Sequence, residues 1–161
     1  MVANGIVMSK ICYLIQLWGG CEEYLLNALQ VLQNRAARAV TGKSWFTPTR
    51  LLLKQCKWLS VRQLLVYQTT LLTHKVQSSG KPSCLASRMS TAHPYSTRQA
   101  TAGCIRYGED ILRTSTLTQN SFRYRAAKCY NSIPPDIRQV TSVPAFKKKV
   151  KQWVLDNVPI S

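Results

Sequence analysis

Hydrophobic residues recur at helical spacing in two stretches of this chain, separated by a stretch with no period. From about 22 to 41, Leu25, Leu29, Leu32, Ala36 and Val40 follow at steps of four, three, four and four, which puts them on one helical stripe and predicts that this stripe packs. Gln30, Gln33, Asn34 and Arg38 fall mostly off it, and Gly42 is placed to end the helix in a left-handed conformation. Thr47-Pro48 predicts a new start, with threonine as cap and proline at the first position, where its missing N–H costs nothing, ahead of a short helix through Leu51 to Gln55. Ser60 and Gln63 have capping-box spacing before Val61, Leu64, Leu65, Gln68, Leu71 and Leu72, a second stripe that runs to about Val76. These three helices are expected to pack together.

Periodicity fails from Gln77 to Asn120, where Ser-Ser-Gly-Lys-Pro-Ser at 78 to 83, repeated threonines, Gly103 and Gly108 predict loop or loosely ordered chain. It returns at Ser121: Phe122, Ala126, Cys129 and Tyr130 line one side of a short helix that Pro134-Pro135 stops. A final helix begins near Pro144, with Phe146, Val150, Trp153 and Val154 on an apolar stripe beside Lys147, Lys148, Lys149 and Lys151. The predicted architecture is mainly α, with a small helical bundle lobe over 1–76, a loop-rich linker over 77–120 and a second, basic helical lobe over 121–161.

Composition fits this picture. A chain of 161 residues with 45% hydrophobic positions has enough apolar surface for one core or two small helical lobes, and lacks the polar signature of disorder. Charge changes it: 22 Lys and Arg against six acidic residues give +16, and no carboxylate occurs between Glu23 and Glu109. A field of that sign is met by counterions or by a polyanion, of which nucleic acid is the first candidate; the alternative is a basic face that is only solvated.

The six cysteines, at 12, 21, 56, 84, 104 and 129, are irregularly spaced and several lie within apolar patterns, so free thiols fit better than a disulfide framework. Cys84, His93 and Cys104 offer three metal ligands, yet their spacing matches no common zinc module. Residues 1 to 20 are apolar but broken by Asn4, Lys10 and Gln16, too short and interrupted for a spanning helix, and their one charge sits late for a signal peptide. The expectation is a nuclear or cytoplasmic chain with no membrane partner, no cofactor and no small-molecule substrate. Its oligomeric state leaves no trace in the sequence.

Several segments resemble a known family. Leu29 to Gly42, reading LQVLQNRAARAVTG, is similar to the Leu-Gln-x-x-Gln-Asn-x-Ala-x-Arg segment that follows the palm in reverse transcriptases of non-LTR retrotransposons. SKICYLIQLWGG at 9 to 20 resembles the preceding helix of that family. WLSVRQLLVYQ at 58 to 68, HPYSTRQ at 93 to 99, and SFRYRAAKCYNSIPPDIR through FKKKVKQWV at 121 to 154 resemble its tail, in the family's order. The resemblance covers nearly the whole chain, though 77 to 120 matches only in patches, and it implies a thumb-like, post-catalytic region near template and primer. No Tyr-x-Asp-Asp occurs, and a two-metal polymerase needs carboxylates that converge on ions about 4 Å apart. Glu22-Glu23 and Glu109-Asp110 are adjacent pairs that point apart on any regular element, so no catalytic residue is carried over.

The candidate site residues fall into three groups. Asn34, Arg35 and Arg38 lie on the most specific segment, where the resemblance implies backbone contact and where a planar guanidinium suits phosphate; Gln33 and Asn34 can equally serve as caps for neighbouring carbonyls. Arg123, Arg125 and Lys128 accompany Phe122, Tyr124 and Tyr130, a mixture that can hold phosphate and stack unpaired bases, or that can bury its rings and leave its charges in water. Lys147, Lys148, Lys149 and Lys151 can form a phosphate-binding face, an import patch, or an ordinary solvated one. Two functions follow: a non-catalytic RNA-binding module left from a retroelement, or a structural or protein-interaction chain, or a barely functional retroelement fragment, with no specific nucleic-acid role and a basicity inherited rather than used.

Overall fold

The computed structural model describes residues 4–89, 103–105 and 120–160, and among these the fold is mainly α with no strand. The chain divides into two compact units, Met1–Val66 with Val154–Ser161, and Tyr67–Trp153. None of the described helices is long and apolar enough to cross a membrane.

The first unit opens with a π-helical turn at Asn4–Met8, then α1 at Ser9–Cys12 and α2 at Ile15–Trp18. The single helix expected over 9 to 20 is broken because Tyr13 is extended and Leu14 takes a left-handed φ of 50°. The Trp18 indole N–H, at 2.6 Å, donates to the Tyr13 carbonyl exposed by the break. Gly19 is buried, and a Cβ there would collide with the Leu65 side chain and the Ile15 carbonyl. Met8, Ile11 and Ile15 contribute to the core.

Next comes α3, Glu23–Thr41, which ends as expected at a left-handed Gly42 whose N–H donates to the Arg38 carbonyl at 2.9 Å. Its buried face is not the expected one. Leu26, Gln30, Gln33 and Ala37 face inward, whereas Leu25, Leu32 and Val40 are 41%, 54% and 53% exposed. The two series interleave, and 26, 30, 33 and 37 repeat the four-three-four spacing one residue along. Helical pitch therefore cannot choose between them, and hydrophobicity favours the wrong one.

Long-range hydrogen bonds make the choice. Gln33 donates to the Leu59 carbonyl at 2.8 Å, and the Val61 N–H donates to Gln30 Oε1 at 2.9 Å. A buried amide costs little once its polar atoms find partners, and here those partners are backbone groups that would otherwise be stranded at the start of the next long helix.

α4, Thr49–Cys56, begins one residue after Pro48, packs on α3 with Leu52 and Leu53 buried, and stops where Lys57 turns left-handed at φ 58°. Trp58, Leu59 and Ser60 then lead, all buried, into α5, Val61–Ser79. The capping box forms: the Ser60 N–H donates to Gln63 Oε1 at 3.1 Å and the Gln63 N–H to Ser60 Oγ at 3.3 Å. Gln63 Nε2 also donates to the Val158 carbonyl at 2.9 Å.

The boundary between the units falls within α5, which continues three residues past the expected end near Val76 and stops at Gly80, left-handed at φ 64°. A glycine sets this end rather than the last apolar position. The second unit holds α6 at Ser83–Ala86, inside the stretch expected to be loop, α7 at Phe122–Asn131 with Ser121 as side-chain cap, α8 at Pro135–Arg138, and most of α9, Val143–Asn157. Within the expected linker, residues 90–102 and 106–119 lie outside the described residues.

The α7 helix buries Ala126, Ala127 and Tyr130, and α9 buries Phe146, Val150 and Val154 as its stripe predicts, with Trp153 half-buried. His74 of α5 lies flat against Phe146, ring centroids 3.6 Å apart, and 6.4 Å from Tyr130. Asn131 closes α7 onto 103–105: Oδ1 accepts from the Ile105 N–H at 2.8 Å and Nδ2 donates to the Ile105 carbonyl at 2.9 Å.

Candidate nucleic-acid interface

The α3 helix sorts its candidate residues by direction. At roughly 100° per residue, Arg35 and Arg38 sit about 60° apart on the side away from the buried series. Arg35 is exposed and Arg38 half-buried. The Arg38 guanidinium lies 4.6 Å from the centroid of the Trp45 ring, a cation–π contact that ties the end of α3 to the turn after it.

Asn34 is held differently. Its Oδ1 accepts from Gln30 Nε2 at 2.9 Å, and its Nδ2 donates to Thr49 Oγ1 at 3.3 Å, so the side chain links α3 to the first residue of α4. Gln30 Nε2 donates to Gln33 Oε1 as well, at 2.9 Å, which makes the three amides one network.

On α7 the bases do not share a face: Arg125 and Lys128 lie about 60° apart around the helix, with Arg123 roughly opposite. Arg123 Nε donates to the Arg88 carbonyl at 3.0 Å, Arg125 is half-buried and Lys128 is exposed. Burial pushes the Cys129 thiol pKa above its usual value, while the charges of Arg125 and Lys128 pull the other way. Tyr130, one of the possible stacking rings, is buried; Phe122 and Tyr124 are half-buried. Lys147, Lys148, Lys149 and Lys151 of α9 are all exposed and spread over its solvent arc, with Lys147 and Lys151 neighbours one turn apart.

The unit that holds Arg35 and Arg38 thus carries one candidate group, and the unit that holds α7 and the α9 lysines carries the others. HPYSTRQ at 93 to 99, with His93, and the Glu109-Asp110 pair lie outside the described residues. Cys84 is exposed and Cys104 buried, all six thiols are unbridged, and no three His, Cys, Asp or Glu side chains among the described residues are grouped to hold a metal. A cavity of about 510 Å³ beside the start of α4 has Arg50 and Asp156 on its lining among apolar and amide groups.

Two residues escaped the sequence reading. Trp45 and Phe46 are 64% and 91% exposed, in the turn between α3 and α4. The available signal was an aromatic pair between a helix-ending glycine and a helix-starting proline, where no apolar stripe exists to bury it. Comparison with protein-family models, with curated proteins and with solved structures finds no match for the chain.

Proposed function

We propose that this chain is a non-catalytic module derived from a non-LTR retrotransposon reverse transcriptase, and that it binds nucleic acid, RNA foremost, through phosphate contacts. The observation that carries this reading is the outward face of α3, where Arg35 is exposed and Arg38 half-buried, within an interval of sequence that contains no carboxylate between Glu23 and Glu109. Glu23 itself is paired with Arg62. The exposed lysines of α9 and Lys128 add to the field, and the resemblance of Leu29 to Gly42 to the family's post-palm segment supplies the biological context. A nuclear or cytoplasmic location goes with an RNA partner; fluorescence microscopy of a tagged chain checks it.

Fluorescence anisotropy across a salt series tests the binding. For a single strand, log K falls with log salt at a slope of about −0.7 per phosphate neutralised, so Arg35→Ala with Arg38→Ala is expected to flatten the slope by about 1.4. Affinity for unrelated RNAs falls about equally, because phosphate contacts position without specifying. An unchanged slope in the double variant removes this face from the interface, and no binding at low salt by the folded chain refutes the reading. Divalent-metal-dependent primer extension, abolished by Asp110→Ala, would overturn the non-catalytic assignment.

One observation favours the second reading, a structural or protein-interaction role. Leu25, Leu32 and Val40 leave an apolar stripe of α3 in solvent, a feature that suits a protein surface better than a phosphate backbone. An uncharged polar side chain at Leu32, as Leu32→Gln, leaves RNA binding intact under the first reading and weakens partner capture under the second.

A further inference from the structure

The turn between α3 and α4 is built to present two aromatic rings. The Thr47 N–H donates to the Ser44 carbonyl at 3.1 Å, so Trp45 and Phe46 are the two central residues of a hydrogen-bonded turn, from which side chains project away from the chain ends. Gly42 fixes the entry to the turn through its left-handed conformation and its bond to Arg38, and Pro48 precedes the first residue of α4 at its exit. The rings are not packed away: Phe46 is 91% and Trp45 64% exposed. Arg38, 4.6 Å from the Trp45 centroid, restrains the indole and places a charge beside it. Lys43 and Arg50, both exposed, flank the turn in sequence.

Aromatic faces interleaved with cations match one ligand chemistry closely, namely an anionic chain that carries flat, unsatisfied π-surfaces. In a duplex those surfaces are covered by neighbouring bases, and a side chain reaches them only by unstacking the helix. In a single strand they are available, and stacking tolerates any base because every base has a π-face. An acidic protein partner meets the cations but makes no comparable use of a fully exposed phenyl ring at a turn centre.

We infer that the α3–α4 turn is a stacking platform for unpaired nucleotides, with Phe46 and Trp45 taking bases and Arg35, Arg38, Lys43 and Arg50 taking the adjoining phosphates. The inference rests on the nucleic-acid reading above and narrows its substrate class to single strands and loops. It separates two contributions at one site: the cations set the salt dependence, and the rings set the preference for unpaired over paired nucleic acid.

The experiment compares anisotropy of a labelled uridine oligonucleotide and of a duplex RNA of equal length, with the full chain and with Phe46→Ala, Phe46→Leu, Phe46→Tyr and Trp45→Ala. Because both positions are exposed, far-UV circular dichroism of each variant is expected to overlay that of the parent. Phe46→Ala is expected to weaken single-strand binding roughly five- to a hundredfold while the salt slope stays unchanged and duplex binding is unaffected. Phe46→Leu, which keeps apolar bulk without a π-face, weakens it alike; Phe46→Tyr restores it. Binding of the single strand quenches Trp45 fluorescence, a change missing in Trp45→Ala.

Leu or Ala at 46 binding as tightly as Phe overturns the platform, and if the slope remains steep the phosphate reading survives that failure. Equal loss on duplex and single strand also overturns it, because it identifies a general contact. Absence of any binding at low salt refutes both readings together.

Discussion

Truncation of Gln33 to alanine tests which face of α3 is inside. Gln33 is completely buried; it donates to the Leu59 carbonyl at 2.8 Å and accepts from Gln30 Nε2 at 2.9 Å. Removing it takes the donor from a carbonyl at the buried Leu59, a loss of about 1–3 kcal/mol for the unmade bond. The space left by the missing atoms adds roughly 1 kcal/mol, because close-packed surroundings relax only in part. The total is about 2–4 kcal/mol. Leu32, its neighbour, is 54% exposed, so Leu32→Ala is expected to stay within about 0.5 kcal/mol of the parent. The apolar stripe Leu25, Leu29, Leu32, Ala36, Val40 demands the reverse, with roughly 2–5 kcal/mol lost at Leu32 and almost nothing at Gln33. Urea denaturation of the full chain, followed by far-UV circular dichroism, separates the two: at the slopes usual for small proteins, Gln33→Ala moves the midpoint down by about 1 M or more. A Leu32→Ala variant that loses as much stability as Gln33→Ala, at an unchanged slope, refutes the buried-amide account of α3.

Two other perturbations address the second unit. Asn131→Ala loses both bonds to the Ile105 backbone, 2.8 and 2.9 Å, and is expected to cost about 1–3 kcal/mol in the same assay, with Asn131→Asp no better because its second oxygen faces the Ile105 carbonyl. Burial against Phe146 holds the His74 imidazole below the ordinary histidine value of 6.5, so the unfolded chain takes up a proton that the folded chain refuses. The stability that depends on neutral His74 is therefore complete above pH 6.5 and is lost as pH falls from there through the lower folded value. Urea midpoints above and below this pH, for the parent and His74→Phe, check the sign: the variant is expected to lose less on acidification.

Much of the fold was legible because its signals are local. Gly42, the Ser60 and Gln63 capping box, and Phe146, Val150 and Val154 each declare themselves within a few residues, and each behaves as its pattern predicts. What was not legible depends on partners far along the chain. The inward turn of Gln30 and Gln33 is decided by the Val61 N–H and the Leu59 carbonyl, which no window around α3 contains. The break at Tyr13 and Leu14 is likewise invisible to spacing, since the apolar run continues across it. At the site, solvation of Arg35 and the α9 lysines could be anticipated from amphipathic arcs. Trp45 and Phe46 were signalled only by their place between Gly42 and Pro48, because hydrophobic residues are ordinarily assigned inward and it is the turn bond between Thr47 and Ser44 that sets them outward.

The segment from Leu29 to Gly42 therefore carries two separable jobs, and its residue types divide between them. Its amides are structural: Gln30 and Gln33 satisfy the backbone that opens α5, and Asn34 bridges to Thr49 of α4. Its arginines face the other way, Arg35 into solvent and Arg38 over Trp45. For Asn34 to grip a phosphate it would have to release Thr49 or Gln30, whereas Arg35 needs no such exchange. Loss of binding on changing an amide is thus ambiguous, since the scaffold under the arginines changes with it. Loss of binding on changing an arginine, with the urea midpoint unmoved, is the informative result. The two kinds of variant should separate cleanly: Gln33→Ala lowers stability, while Arg35→Ala lowers the salt slope and leaves stability within about 0.5 kcal/mol.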